Sequence, residues 1–145
     1  MSRFARRIHI GASPAAVWSK LVDVEGWPAW ASQFTSLTLL DPGPLTLGTR
    51  VRVRPKGMTA ATWRVTEYEE GRSFTWEASP APGLRLAGGH VVTPEGDGAG
   101  AEFWLDASGP LGAVLGSVLR RTVFSRNTRS ATEGLRRALE GGSPA

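Results

Sequence analysis

In three stretches between Thr49 and Glu77 apolar and polar residues alternate along the chain with a period of two. Val51 and Val53 stand against Arg50, Arg52 and Arg54, Trp63 and Val65 against Arg64 and Thr66, and Phe74 and Trp76 against Thr75. Neighbouring residues of a strand point to opposite faces. The pattern therefore predicts strands over Thr49–Arg54, Ala61–Tyr68 and Ser73–Glu77, each with one dry and one wet side. Glu67 shares the inward parity of Trp63 and Val65 but falls at a strand end, where exposure is expected. Glu69-Glu-Gly-Arg72 turns the chain and makes the last two strands a hairpin. Phe4–Ile10, ended by Gly11, reads as a first strand, and Phe34–Leu40, closed by Asp41-Pro42-Gly43-Pro44, as a second. Leu84–Thr93 sets Leu86, Gly88, His90 and Val92 on one face. After the turn Pro94-Glu-Gly-Asp-Gly98, Ala101–Asp106 sets Ala101, Phe103 and Leu105 inward, with Trp104 and Asp106 outward. An outward tryptophan either packs beside a neighbouring strand's outward side chain or marks a contact surface.

Two stretches follow the helical period instead. Ser13 offers an N-cap oxygen and Pro14 suits the first helical position, and Val17, Trp18, Leu21 and Val22 then make one apolar face. Gly26–Ala31, with Trp27 and Trp30, reads as a short helix or helical turn. Two large rings beside a Gly-Pro break commonly sit at the rim of a cavity. The second stretch begins at Gly109-Pro110 and runs to about Leu139, where Gly141-Gly142 and Pro144 end it. At about 1.5 Å per residue such a helix is ~40 Å long, enough to cross one face of a small domain. Leu111, Val114, Leu115, Val118, Leu119 and Thr122 form one stripe. Phe124, Thr128, Ala131, Leu135 and Leu139 form another, rotated from the first, so the two halves bury different faces or the helix bends near Ser125–Asn127. Arg126 and Arg129 face where the first stripe faced, either as a solvated surface or as a seat for an anionic group.

Strands joined by tight turns, two short helices after the first strand and a long helix at the end imply an α+β fold built on an antiparallel sheet. A chain of 145 residues is expected to form one domain over residues 1–140, with a disordered tail at 141–145. The sequence has no cysteine, which excludes thiolate metal sites and cysteine nucleophiles and fits a reducing cytoplasm. No apolar run is long enough for a signal peptide or a transmembrane segment, so a cytoplasmic protein is expected. The net charge of +4 comes almost wholly from arginine, six of them on the last helix. That helix could attract nucleic acid or an anionic membrane surface, but its arginines spread around it, and arginine usage beside abundant Ala, Gly and Pro also fits a GC-rich coding sequence.

Taken in order, Ser13-Pro14-Ala-Ala-Val-Trp18, Trp27-Pro28-Ala-Trp30, Gly48-Thr-Arg-Val-Arg-Val53, Trp63-Arg-Val-Thr-Glu67, Phe74-Thr-Trp76, His90, Gly96-Asp-Gly98 and Gly109-Pro110-Leu111 carry a resemblance. The chain, from about Arg3 to Glu140, resembles the polyketide cyclase/dehydrase branch of the START and Bet v 1-like (SRPBCC) superfamily. The resemblance rests on the order and spacing of these motifs. It implies a helix-grip fold, in which a curved antiparallel sheet wraps around the long C-terminal helix and leaves an apolar cavity between them. Members bind lipids, polyketides, steroids or other hydrophobic ligands, and some catalyse cyclisation or dehydration. Two places depart from the usual pattern. Gly98-Ala-Gly-Ala101 stands where relatives commonly have a Gly-Thr pair, which loosens a turn. Gly88-Gly89 precedes His90 and leaves either an empty inward volume for a ligand or a close approach of the long helix.

On that fold Val51, Val53, Trp63, Val65, Phe74, Trp76, His90, Val92, Phe103 and Leu105 face Leu115, Val118 and Leu119. This is the composition of a hydrophobic ligand pocket with one polar anchor, or of a core that tryptophan fills. The expected ligand-binding residues are Trp27, Trp30, Val53, Trp63, Val65, Trp76, His90, Phe103, Leu115, Leu119 and Thr122. His90 is the one acid–base candidate whose parity is inward, while His9 points away from Ile8 and Ile10. A lone histidine is either a hydrogen-bonded core residue or, with an oxygen-bearing neighbour such as Thr122, a cyclase or dehydratase acid–base group. No Ser-His-Asp order, metal-spaced cluster or phosphate-cradling loop is present, so no metal or other cofactor is expected. The expected partner is a hydrophobic small molecule, with no nucleic acid and at most weak membrane-surface contact. The molecule is expected to be a monomer or homodimer whose interface would involve Trp104.

Overall fold

The computed structural model describes residues 2–57, 59–111 and 133–141. Seven strands form one antiparallel sheet: β1 (Ser2–Ile10), β2 (Phe34–Leu39), β3 (Arg50–Pro55), β4 (Ala61–Glu69), β5 (Ser73–Ala81), β6 (Leu84–Glu95) and β7 (Gly98–Ser108). Their spatial order is β1-β7-β6-β5-β4-β3-β2. Only the step from β1 to β2 breaks sequence order, because the two helical segments between them carry the chain from one edge of the sheet to the other. The sheet curls into a half-barrel, and its apolar parity lines the concave side.

Alternation explains most of the register. On β3, Val51 and Val53 are buried between exposed Arg50, Arg52 and Arg54. On β5, Phe74, Trp76 and Ala78 are buried in turn. β4 departs from strict alternation. Its pairing with β5 shifts between Val65 and Glu67, so Tyr68, not Glu67, sits opposite Phe74. Such a bulge inserts one extra residue and flips the parity beyond it. Glu67 is exposed, and Tyr68 packs its ring edge-on against Trp18 at 5.9 Å.

Ser13 caps α1 (Pro14–Val22), its Oγ accepting from the Ala16 amide at 3.1 Å, and Val17, Trp18 and Leu21 are buried. A 3-10 helix follows over Val24–Ala29 and buries Val24 and Trp27. It packs against the edge strand β2, where the Glu25 carboxylate accepts from the Leu39 amide at 2.9 Å. The first helical turn at 109–111 follows β7 directly. The body of the expected long helix, with its first stripe from Val114 to Thr122, Phe124, Thr128, Ala131 and the arginines at 126 and 129, lies outside the described residues, as does the tail at 142–145.

The end of that segment is described and well anchored. Glu133–Arg136 is helical and Arg137–Gly141 closes with wider π-type turns. Leu135 is fully buried in the core, and Ala138 and Leu139 pack against it. Gly134 lies against the Trp30 carbonyl so closely that a Cβ there would overlap it. The Arg136 guanidinium donates to the His9 carbonyl at 3.0 and 3.3 Å, and the Glu140 carboxylate accepts from the Gly11 amide at 2.6 Å. The chain's end thus closes over the junction between β1 and α1.

Candidate functional site

The concave side of β5, β6 and β7 places Phe74, His90 and Phe103 side by side, because Phe74 pairs with His90 and His90 with Phe103. The imidazole stacks on Phe74 with ring centres 4.4 Å apart and planes 20° apart. Phe103 at 5.4 Å, Trp76 at 5.5 Å and Trp27 at 5.3 Å meet it at steep angles. Four aromatic rings therefore wall a single titratable group, which is only 6% exposed. Burial pushes His90 down from 6.5 to about 3, against a smaller opposing effect of hydrogen bonding to the Phe74 backbone. His90 is neutral at physiological pH, and its Nδ1 has no hydrogen-bond partner among the described residues. A neutral imidazole carries one donor and one acceptor nitrogen, so this atom offers one directional polar contact in an otherwise apolar enclosure.

The rings continue outward from His90. Trp27 donates from its indole nitrogen to the Leu21 carbonyl at 3.0 Å, which fixes the ring, and it contacts Trp30 at 5.5 Å and Trp76 at 5.3 Å. Trp76 contacts Trp63 at 5.6 Å. Trp27, Trp30, Val53, Val65, Trp76, His90 and Phe103 are buried, and Trp63 is partly buried against the same cluster. The structure thus brings together eight of the residues singled out from sequence. The other three, Leu115, Leu119 and Thr122, lie outside the described residues.

Trp18 joins the cluster edge-on to Phe74 at 6.2 Å. Its place on the apolar face of α1 signalled burial, and the return of α1 across the sheet makes it a neighbour of the site. Tyr68 reaches the same region only because of the β4 bulge, and no simple period announces it. Burial, with the Glu70 carboxylate accepting from its hydroxyl at 2.6 Å, pushes Tyr68 up to about 12.

The glycines near His90 do not leave an empty inward volume. A Cβ on Gly88 would meet the Trp76 indole nitrogen at 3.1 Å and Leu105 Cδ2 at 3.3 Å, so those two side chains already fill the space. Gly89 faces the other way and lies beneath the Trp104 ring, with which it is paired in register. The tryptophan seated on this strand glycine covers the bare backbone. Asp106 also points outward but is only 8% exposed. Gly98 and Gly100 make room for a second convex feature, in which Glu95 receives both Arg7 and His9 Nδ1. His9 is exposed, and among the described residues no group of three or more His, Cys, Asp or Glu side chains could hold a metal ion.

A seven-stranded antiparallel sheet curled around an aromatic concave face gives the chain a START-like fold. The chain belongs to the polyketide cyclase/dehydrase and lipid transport family, whose model matches residues 1–140. Solved structures with this fold include a START superfamily protein from Mycobacterium smegmatis, with TM-score 0.78, 16% identity and coverage of 97% of this chain and 99% of that one. A protein from Thermus thermophilus aligns with TM-score 0.75 and 21% identity over 98% of this chain and 99% of its own. The di-domain ARO/CYC protein of the steffimycin biosynthetic pathway aligns with TM-score 0.76 and 15% identity, 97% of this chain covering 51% of that one. No curated protein matches the sequence. No described helix is long and apolar enough to cross a membrane.

Proposed function

We propose that the protein binds a hydrophobic small molecule between the concave face of the sheet and the C-terminal segment, as a carrier or sensor. The observation that carries this reading is the set of four rings around a neutral, buried His90 whose Nδ1 finds no partner among the described residues. Buried polar atoms are nearly always paired, and a ligand group with matching hydrogen-bonding capacity would pair this one. Trp27, Trp30, Trp63 and Trp76 supply the apolar contact, with Val53, Val65 and Phe103 completing the described lining. From the other side Leu115, Leu119 and Thr122 would close it. The family description, which couples cyclases and dehydrases with lipid transport, supports both a ligand of this class and a second reading.

That second reading makes His90 the acid–base residue of a cyclase or dehydratase. It draws on the same unpaired nitrogen, but a histidine held near 3 is a weak base at neutral pH, and no described carboxylate contacts it. Binding is therefore the better-supported role. Native mass spectrometry of the purified protein, followed by titration of the emptied protein with 1-naphthol under tryptophan fluorescence, tests it. A retained apolar molecule or saturable quenching is expected, weakened but not abolished by His90→Ala. A protein that purifies empty and leaves its fluorescence unchanged by 1-naphthol and by a fatty acid would refute it. Turnover that His90→Gln abolishes while binding persists would favour the enzyme.

A further inference from the structure

The convex side of the β2–β3–β4 corner carries a pattern that ligand binding on the concave side does not use. Arg50, Arg52 and Arg54 leave β3 on this side, about 7 Å apart, since a strand rises about 3.3 Å per residue. The register places Thr38 and Thr62 on either side of Arg52, Ser36 beside Arg54 and Arg64 beside Arg50. Asp41 engages Arg50 through its amide at 2.8 Å and its guanidinium at 2.9 and 3.2 Å. Arg52, Arg54 and Arg64 make no ion pair with any described residue. The residues flanking Arg52 and Arg54 across the strands are hydroxyl-bearing, and guanidinium and hydroxyl groups together are donors suited to phosphate oxygens.

At the end of this row two leucines stand in water. Leu40, which continues the outward row of Ser36 and Thr38, is 41% exposed, and Leu47 is 63% exposed. The loop holding them is fixed in place. Leu45 is buried, the Thr46 amide donates to Thr49 Oγ1 at 3.0 Å, and the Gly48 amide donates to the Val65 carbonyl at 2.9 Å. Gly48 adopts a φ of 87°, which permits that turn. Leu47 is thus presented outward by a braced loop, beside Arg50 and Arg64 on the wall of an open depression.

We propose that this corner docks on an anionic lipid surface, with Leu47 and Leu40 entering the headgroup boundary and Arg52, Arg54 and Arg64 meeting lipid phosphates. Cations alone would suit a nucleic acid equally, but exposed leucines next to them gain nothing from a sugar–phosphate backbone and gain burial in a bilayer interface. The surface lies on the opposite side of the sheet from His90, so docking leaves the concave face free. The inference does not depend on the ligand-binding reading.

Flotation of the full chain with phosphatidylcholine vesicles, with and without phosphatidylglycerol, tests it. Binding is expected only to the anionic vesicles and is expected to fade as salt is raised to about 1 M, where the Debye length is about 3 Å. Arg52→Gln with Arg54→Gln should weaken it about 25-fold, at about fivefold per cation removed. Leu47→Ser should weaken it about tenfold through lost apolar burial. All three positions are exposed, so unchanged urea unfolding of the variants verifies that the fold is intact. Absence of anionic-vesicle binding overturns the proposal, as does binding that these variants leave unchanged. Oligonucleotide binding that Leu47→Ser spares, without vesicle binding, would assign the arginines to nucleic acid and also overturn it.

Discussion

His90 makes the stability of the fold depend on pH in a window where few other groups contribute. In the unfolded chain its imidazole titrates near 6.5, whereas in the folded protein burial among four rings holds it near 3. Between these values the unfolded state binds a proton that the folded state refuses. The stability is therefore complete above 6.5 and is lost progressively as pH falls toward 3. At 1.36 kcal/mol per unit, lowering the pH from 7.5 to 5 should cost about 2 kcal/mol, and the full shift sets a ceiling of about 5 kcal/mol. Asp41 and Glu95 are carboxyls held below their ordinary range, Asp41 by hydrogen bonds from Arg50 and Glu95 by those from His9 and Arg7. Their contributions are lost only below about pH 5. Urea unfolding of the emptied protein, followed by tryptophan fluorescence at pH 7.5 and pH 5, measures the difference. His90→Leu keeps an apolar group of similar volume and every other titratable residue, so the difference between the two proteins isolates this site. The wild type should lose about 2 kcal/mol more than the variant over that range. Equal losses in both proteins would refute the assignment of a buried, neutral imidazole.

Two glycine substitutions test the packing around the site. Helix propensity alone predicts that Gly134→Ala stabilises the last helical turns by about 1 kcal/mol. Contact of the new Cβ with the Trp30 carbonyl predicts instead a net loss of about 1–3 kcal/mol in urea unfolding, and a gain would show that the two segments do not meet there. Gly89→Ala should cost a similar amount by lifting Trp104 from its seat, and the cost should nearly vanish in a Trp104→Ala background. Additive losses would place Trp104 elsewhere.

The half of the fold that alternates was legible because its two faces differ so sharply in chemistry. Arginine beside valine on β3, and threonine beside phenylalanine and tryptophan on β5, leave one register that keeps charge wet and rings dry. The bulge on β4 escaped that logic, since an added residue has no signature in a period-two count, and Tyr68 was hidden with it. Eight concave residues of the site could be named from parity and from the tryptophans of the 3-10 segment. What parity could not give was volume. Gly88 read as either a vacancy or a close approach of the long helix, although Trp76 and Leu105 had claimed the space from neighbouring strands. Similarly, Trp104 could be placed outside but not matched to Gly89, because that match depends on the pairing of β6 with β7. Gly134 gave no signal at all. A single small residue in a helical run means close approach only once the Trp30 carbonyl is known to lie against it.

The anchor at the chain's end has an evolutionary consequence. Arg136 and Glu140 grip the carbonyl of residue 9 and the amide of residue 11, groups that any residue but proline supplies in full. A methyl group at position 11 would sit 3.5 Å from the Glu140 carboxylate, an ordinary contact. Positions 9 and 11 are therefore free to drift without loosening the closure, while positions 136 and 140 must keep their charge and reach. Related chains should vary at the gripped junction and hold constant the two side chains that do the gripping.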